Sequence, residues 1–213
     1  LKEDNDLKGA LKYIQKAIDL NPDFSEAHYN LGNVFKDLGK LKEAELSTRK
    51  AIEIKPDYAK AHSNLGNILR DLGKSQEAES SYHKAIEIKP DFAEAYSNLG
   101  NVLNDLGKLE EAELSYRKAI EIKPDYAEAH SNLGVLLLEN GEHQLSLEYF
   151  SKSAELLRGE KIQEPNNKRY TTISKAKIDH DIEQFEYLVS QGYETKKFTD
   201  LAILYKKVAS EID

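Results

Sequence analysis

One interval governs this chain. Pro22, Pro56, Pro90 and Pro124 stand 34 residues apart, as do Gly32, Gly66, Gly100 and Gly134, and again Gly39, Gly73, Gly107 and Gly141. A fixed interval of this size means a stacked array of one small unit, because each unit can bury its apolar face only against its neighbours. Beginning each unit three residues after its proline gives 25–58, 59–92, 93–126 and 127–160. The first three are nearly interchangeable. The third reads AEAYSNLGNVLNDLGKLEEAELSYRKAIEIKPDY.

Each unit reads as two helices. The first opens after Pro-Asp. Asp23, Asp91 and Asp125 are followed three residues later by Glu26, Glu94 and Glu128, the pattern of a capping box with aspartate as the cap. Asp57 departs from it, with Lys60 at the glutamate position. The first helix should stop at Gly39, Gly73, Gly107 or Gly141, where a left-handed residue costs little. The second should end just before the next proline. In the third unit its apolar stripe is Leu109, Ala112, Tyr116, Ala119, Ile120 and Ile122, spaced mostly by three and four.

These landmarks resemble the tetratricopeptide repeat. In the third unit they are Tyr96, Leu99, Gly100, Leu103, Ala112, Tyr116, Ala119 and Pro124. The resemblance implies an all-α fold, a right-handed superhelical solenoid of stacked antiparallel helix pairs, with the first helix of each pair lining a concave groove. Residues 1–24 fit the remainder of a truncated repeat: Leu1 falls inside a first helix, and Ala10, Ala17 and Pro22 match later landmarks. The fourth unit degenerates in its second helix, where Ser146 and Ser153 replace alanines and Arg158 replaces the proline, as in a terminal repeat. Polar residues 161–173 read as a linker. Two helices over 174–191 and 196–212 follow, and 174–213 is either a capping pair or the start of a further domain.

The candidate binding residues are amides. Asn30, Asn64, Asn98 and Asn132 hold one position of the first helix. Asn33, Asn67 and Asn101 follow three residues later, and Val135 breaks that series. A three-residue step keeps both rows on neighbouring parts of one face. A primary amide carries two donors and an acceptor, so it can grip a peptide backbone at both N–H and C=O. The first row is similar to the asparagine ladder in the repeats of O-linked N-acetylglucosamine transferase, whose style matches Ala61–Leu65 and Ala129–Leu133. Either these residues face the groove and meet a ligand, or they bond neighbouring helices. Ser63, Ser97 and Ser131 beside them are small, which should leave room for a chain to lie close.

Chaperone-tail-binding relatives clamp a terminal carboxylate with lysines and an arginine. Here the lysine position carries Tyr29, Ser63, Ser97 and Ser131, and the arginine position is asparagine, so no such clamp is expected. His28, His62 and His130 recur at the family's aromatic packing position, where Tyr96 replaces histidine in the third unit. Spaced one per repeat, they are too far apart to share a metal. No cofactor is implied. No nucleophile elbow, phosphate loop or paired-carboxylate site is visible, so no catalytic residue is assigned.

Composition narrows the partner. A net charge of −8 argues against nucleic acid or an anionic membrane. No cysteine is present, hence no disulfide framework. No apolar run approaches the ~20 residues of a membrane span, and a cytoplasmic location is the expectation. The leading reading is a protein-interaction scaffold holding an extended peptide or partner segment in its groove, with self-association through exposed solenoid ends as an additional mode. The alternative is the accessory, substrate-recruiting region of a larger bacterial transferase or oxygenase whose catalytic domain lies outside this chain.

Overall fold

A computed structural model describes residues 2–163 together with positions 202, 203 and 206. The described residues form helices and no strands. In chain order these are α1 (Lys2–Leu20), α2 (Ser25–Asp37), α3 (Leu41–Ile54), α4 (Ala59–Asp71), α5 (Ser75–Ile88), α6 (Ala93–Asp105), α7 (Leu109–Ile122), α8 (Ala127–Glu139) and α9 (His143–Gln163). The chain divides into two compact units, residues 1–112 and 113–213.

The turns follow the glycines. Gly39, Gly73, Gly107 and Gly141 have φ of 69, 74, 74 and 82°, the left-handed region that L side chains avoid. At the first of them, Lys40 N–H reaches back to the Phe35 carbonyl at 2.8 Å and Gly39 N–H to that of Lys36 at 2.9 Å, satisfying carbonyls that the helix end would otherwise leave bare. In α1 the equivalent place belongs to Asn5, and Lys2–Leu20 runs through it as one helix. The expected first-helix remnant is therefore not a separate element: without glycine, continuing the helix costs less than a left-handed turn.

The expected aspartate caps do not form. The helices begin two residues after each aspartate, their N-cap residues are Phe24, Tyr58, Phe92 and Tyr126, and none of these has a side-chain cap bond. The backbone closes the turn instead, with Tyr58 N–H bonded to the Lys55 carbonyl at 3.2 Å and Phe92 N–H to that of Lys89 at 3.2 Å. The lysine ammonium then lies over the aromatic ring, 5.0 Å from the Tyr58 centroid and 5.1 Å from that of Phe92.

In the first unit consecutive helices pack from α1 to α6, and the first helices of successive repeats also touch, α2 against α4 and α4 against α6. Ala44, Ala51, Ala78 and Ala85 have no exposure, marking the seams where helices approach closely. Ion pairs bridge neighbouring repeats, among them Lys74–Glu45 at 2.9 Å, Arg49–Glu77 at 3.1 Å and Lys108–Glu79 at 2.7 Å. The hydrogen bond from Lys74 holds the Glu45 carboxyl below its ordinary range.

In the second unit α8 packs on α9. The serines that replace alanines are both buried and both satisfied. Ser146 Oγ donates to the Gly134 carbonyl at 2.8 Å and Ser153 Oγ to that of Ala127 at 2.9 Å. With Arg158 where proline stood, α9 continues to Gln163, so the first residues of the expected linker are helical. The rest of that linker and the expected pair over 174–191 and 196–212 lie outside the described residues, apart from positions 202, 203 and 206.

Candidate functional site

Because α2, α4 and α6 occupy the same place in successive repeats, Asn30, Asn64 and Asn98 recur at one level on three adjacent helices. None of the three has a side-chain partner within the protein. Their surroundings differ. Asn30 is exposed, Asn98 is half-buried, and Asn64, on the helix flanked by first helices on both sides, is only 6% exposed. The Nδ2 donor of Asn64 is shielded from solvent and unbonded. A buried amide donor left unmade costs about 1–3 kcal/mol. In the second unit Asn132 repeats the feature on α8, half-buried with a shielded, unbonded Nδ2.

The second row behaves differently. Asn67 accepts a hydrogen bond from the Tyr82 hydroxyl at 2.7 Å, tying α4 to α5 within one repeat. Tyr82 has no exposure, and burial pushes its phenol well above the usual range, so it stays a donor. Asn101 is engaged as well. Asn33 is not, because Thr48 stands where tyrosine would be and cannot reach it; the Thr48 hydroxyl is itself buried and unbonded. One position of the second helix thus decides whether the second-row amide is free. An aromatic recurs in the sequence at Tyr82, Tyr116 and Phe150, but the sequence alone does not reveal the bond from the Tyr82 hydroxyl to Asn67.

Ser63, Ser97 and Ser131 do not leave open space. They are 5, 0 and 1% exposed, so their small size serves close packing rather than room for a ligand. Tyr29, the odd member of that set, lies 5.1 Å from the Tyr58 ring and closes one edge of the first repeat. His28, His62 and His130 each place Nε2 against the carbonyl of the proline six residues earlier, at 2.8, 2.9 and 2.9 Å. The carbonyl can only accept, so Nε2 carries the proton and the ring braces the turn between repeats.

Comparison with known families and structures gives this geometry a context. A model described as "TPR repeat" matches residues 1–39, 66–104 and 100–141. Two described as "Tetratricopeptide repeat" match 25–58 and 48–80. The chain belongs to the tetratricopeptide repeat family. No curated protein matches it. Among solved structures, a tetratricopeptide fold similar to this one is that of MamA, at 26% identity and TM-score 0.66 over 75% of this chain and 93% of that one. YrrB, described as a TPR protein with an unusual peptide-binding site, is 28% identical, with TM-score 0.59 over 73% and 80%. The first TPR of Spaghetti (RPAP3), solved bound to the HSP90 peptide SRMEEVD, is 26% identical, with TM-score 0.54 over 55% and 93%. The all-α tetratricopeptide repeat architecture expected from the 34-residue period is therefore established. No described helix is long and apolar enough to cross a membrane.

Proposed function

We propose that this tetratricopeptide chain is a protein-interaction scaffold whose first helices hold an extended polypeptide by its backbone. The observation that carries the reading is the first row, Asn30, Asn64 and Asn98, repeated on adjacent helices while the fold uses Asn67 internally; Asn30 and Asn98 are accessible as they stand, whereas the shielded Nδ2 of Asn64 meets a ligand only where binding uncovers it. The peptide-binding relatives YrrB and Spaghetti (RPAP3) support a peptide as the class of ligand. Adjacent helix axes lie about 8–10 Å apart, and an extended chain advances about 3.3 Å per residue. One amide per repeat therefore meets about every third peptide unit. Asn33 adds a contact of the same kind. A clamp for a terminal carboxylate is not part of this mode, since Tyr29, Ser63 and Ser97 stand at its cation positions.

Recognition of this kind reads the backbone and is tolerant of side chains. A peptide selected from an unbiased library should keep its affinity within a few-fold when its side chains are shuffled. N-methylation of every third peptide nitrogen should abolish binding, because each blocked N–H removes a hydrogen bond and adds bulk. Binding that follows side-chain sequence and ignores N-methylation contradicts the proposal.

A further inference from the structure

The first unit carries a second concavity, between α3, α4 and α5, that none of the candidate asparagines lines. Its volume is about 380 Å³, and it is walled by Arg49 and Ile52 of α3, Ser81 and Lys84 of α5, with His62 and Leu65 of α4 as its floor. The chain contains its own account of what this cavity lacks. Moving 68 residues along, two repeat periods, leads to Arg117, Ile120, Lys152, His130 and Leu133, identical types at five of those six places. The sixth is Tyr149 where the cavity has Ser81; of the two other lining residues, Glu53 recurs as Glu121 and Ser80 gives way to Glu148.

In the second unit Tyr149 occupies the setting that these residues make. Its ring centroid is 5.8 Å from that of His130, and the Arg117 guanidinium carbon lies 5.8 Å from the ring centre. Arg117 Nη1 donates to the tyrosine hydroxyl at 2.9 Å, while Arg117 Nε is held by Glu113 at 2.8 Å. His130 is 7% exposed and Leu133 has no exposure. Around the cavity the frame is the same. Arg49 Nε is held by Glu45 at 2.9 Å, and His62 Nε2 meets the Pro56 carbonyl at 2.9 Å, as His130 meets that of Pro124. Arg49 Nη2 reaches Glu77, and Nη1, the atom that binds the phenol in the sibling site, has no partner. His62 is correspondingly only half-buried.

We propose that the cavity between α3, α4 and α5 is a docking pocket for a tyrosine side chain of a partner polypeptide, the phenol stacking on His62 and accepting a hydrogen bond from Arg49 Nη1. It takes from outside the ring that Tyr149 supplies from within. None of the candidate asparagines lines the pocket, although Asn64 stands between His62 and Leu65 on α4.

The test is a nitrogen-15 NMR titration of the whole chain with 4-methylphenol, then with acetyl-Gly-Tyr-Gly-amide and its phenylalanine counterpart. Saturable shifts at His62, Leu65 and Ser81 are expected with the first two. The phenylalanine peptide should bind about tenfold more weakly, since it offers no acceptor to a charged donor. Arg49→Gln should erase that preference. Ser81→Tyr should abolish the shifts and raise the melting temperature by filling the pocket from within. Absence of saturable shifts at these residues, or shifts that persist in a folded Ser81→Tyr chain, overturns the proposal. So does equal binding of the two peptides. Binding of 4-methylphenol without the tyrosine peptide would make this a site for a free phenol and overturn docking.

Discussion

The first and second repeats share a plan and solve the same contact differently. At Gly66 an added Cβ would lie 2.7 Å from the Tyr82 ring, so the glycine makes space for an aromatic wedge between α4 and α5. At Gly32 an added Cβ would collide first with the Thr48 hydroxyl, and it would also lie 3.3 Å from the Ala44 carbonyl oxygen and 3.4 Å from the Thr48 nitrogen. With threonine in place of tyrosine, the short Thr48 side chain sits against Gly32 and the α3 backbone comes close to it as well. The consequence reaches the candidate site. The wedge in the second repeat holds Asn67, and its absence in the first leaves Asn33 free. Repetition in sequence therefore does not make repeats equivalent in function, because one side chain on the second helix sets what the first helix can offer.

The largest effect should come from removing the wedge. Tyr82→Ala empties a fully buried aromatic site and should cost about 3–5 kcal/mol in a denaturant titration, whereas Thr48→Ala, with little volume to lose, should cost far less. Equal losses would mean that the two hairpins are not packed differently. Inserting the wedge where the hairpin has closed is the reverse test. Thr48→Tyr should overpack α2 against α3 and lose roughly 1–3 kcal/mol, although tyrosine is native in the next repeat. A smaller step is Tyr82→Phe, which keeps the ring and deletes the hydroxyl bond. It should cost about 0.5–1.5 kcal/mol and strengthen peptide binding by releasing the Asn67 amide.

The fourth repeat sharpens the comparison through pH. Burial holds His130 below the ordinary imidazole pKa, with the Pro124 carbonyl opposing and Lys152 adding to the shift. The unfolded chain takes up that proton near pH 6.5 and the folded chain resists it. Stability should therefore decline as pH falls below about 6.5, then level off once the folded form is protonated too. Melting curves from pH 8 to 5 should show that component in the parent and not in His130→Tyr, which copies the residue natural at Tyr96. Identical profiles for the two chains would remove His130 as the source.

Much of the architecture was legible in sequence because prolines and glycines act locally. Pro56 stops α3 wherever the rest of the chain goes, and Gly73 permits a left-handed turn by itself. The caps were misread because an Asp-x-x-Glu spacing does not say which residue first adopts helical angles, and the Lys-Pro-Asp-aromatic turn closes through its backbone. The fate of the asparagines was only half visible. Their row follows from the period, but whether an amide is free depends on a partner such as Tyr82, fifteen residues away on another helix. Ser63 and Ser97 misled for the same reason, since small residues at a helix seam and small residues beside an open groove look alike in sequence.

The central claim is that the first asparagine row serves a ligand and not the fold. The direct measurement pairs stability with binding for Asn30→Ala/Asn64→Ala/Asn98→Ala, using a peptide selected on the parent chain. Each lost hydrogen bond is worth about 0.5–1.5 kcal/mol, so the triple variant should bind at least about tenfold more weakly than the parent. Its melting temperature should stay equal or rise, because Asn64 no longer buries an unbonded donor. A triple variant that binds like the parent, or one that melts well below it, would show that these amides hold the repeats together and not a partner.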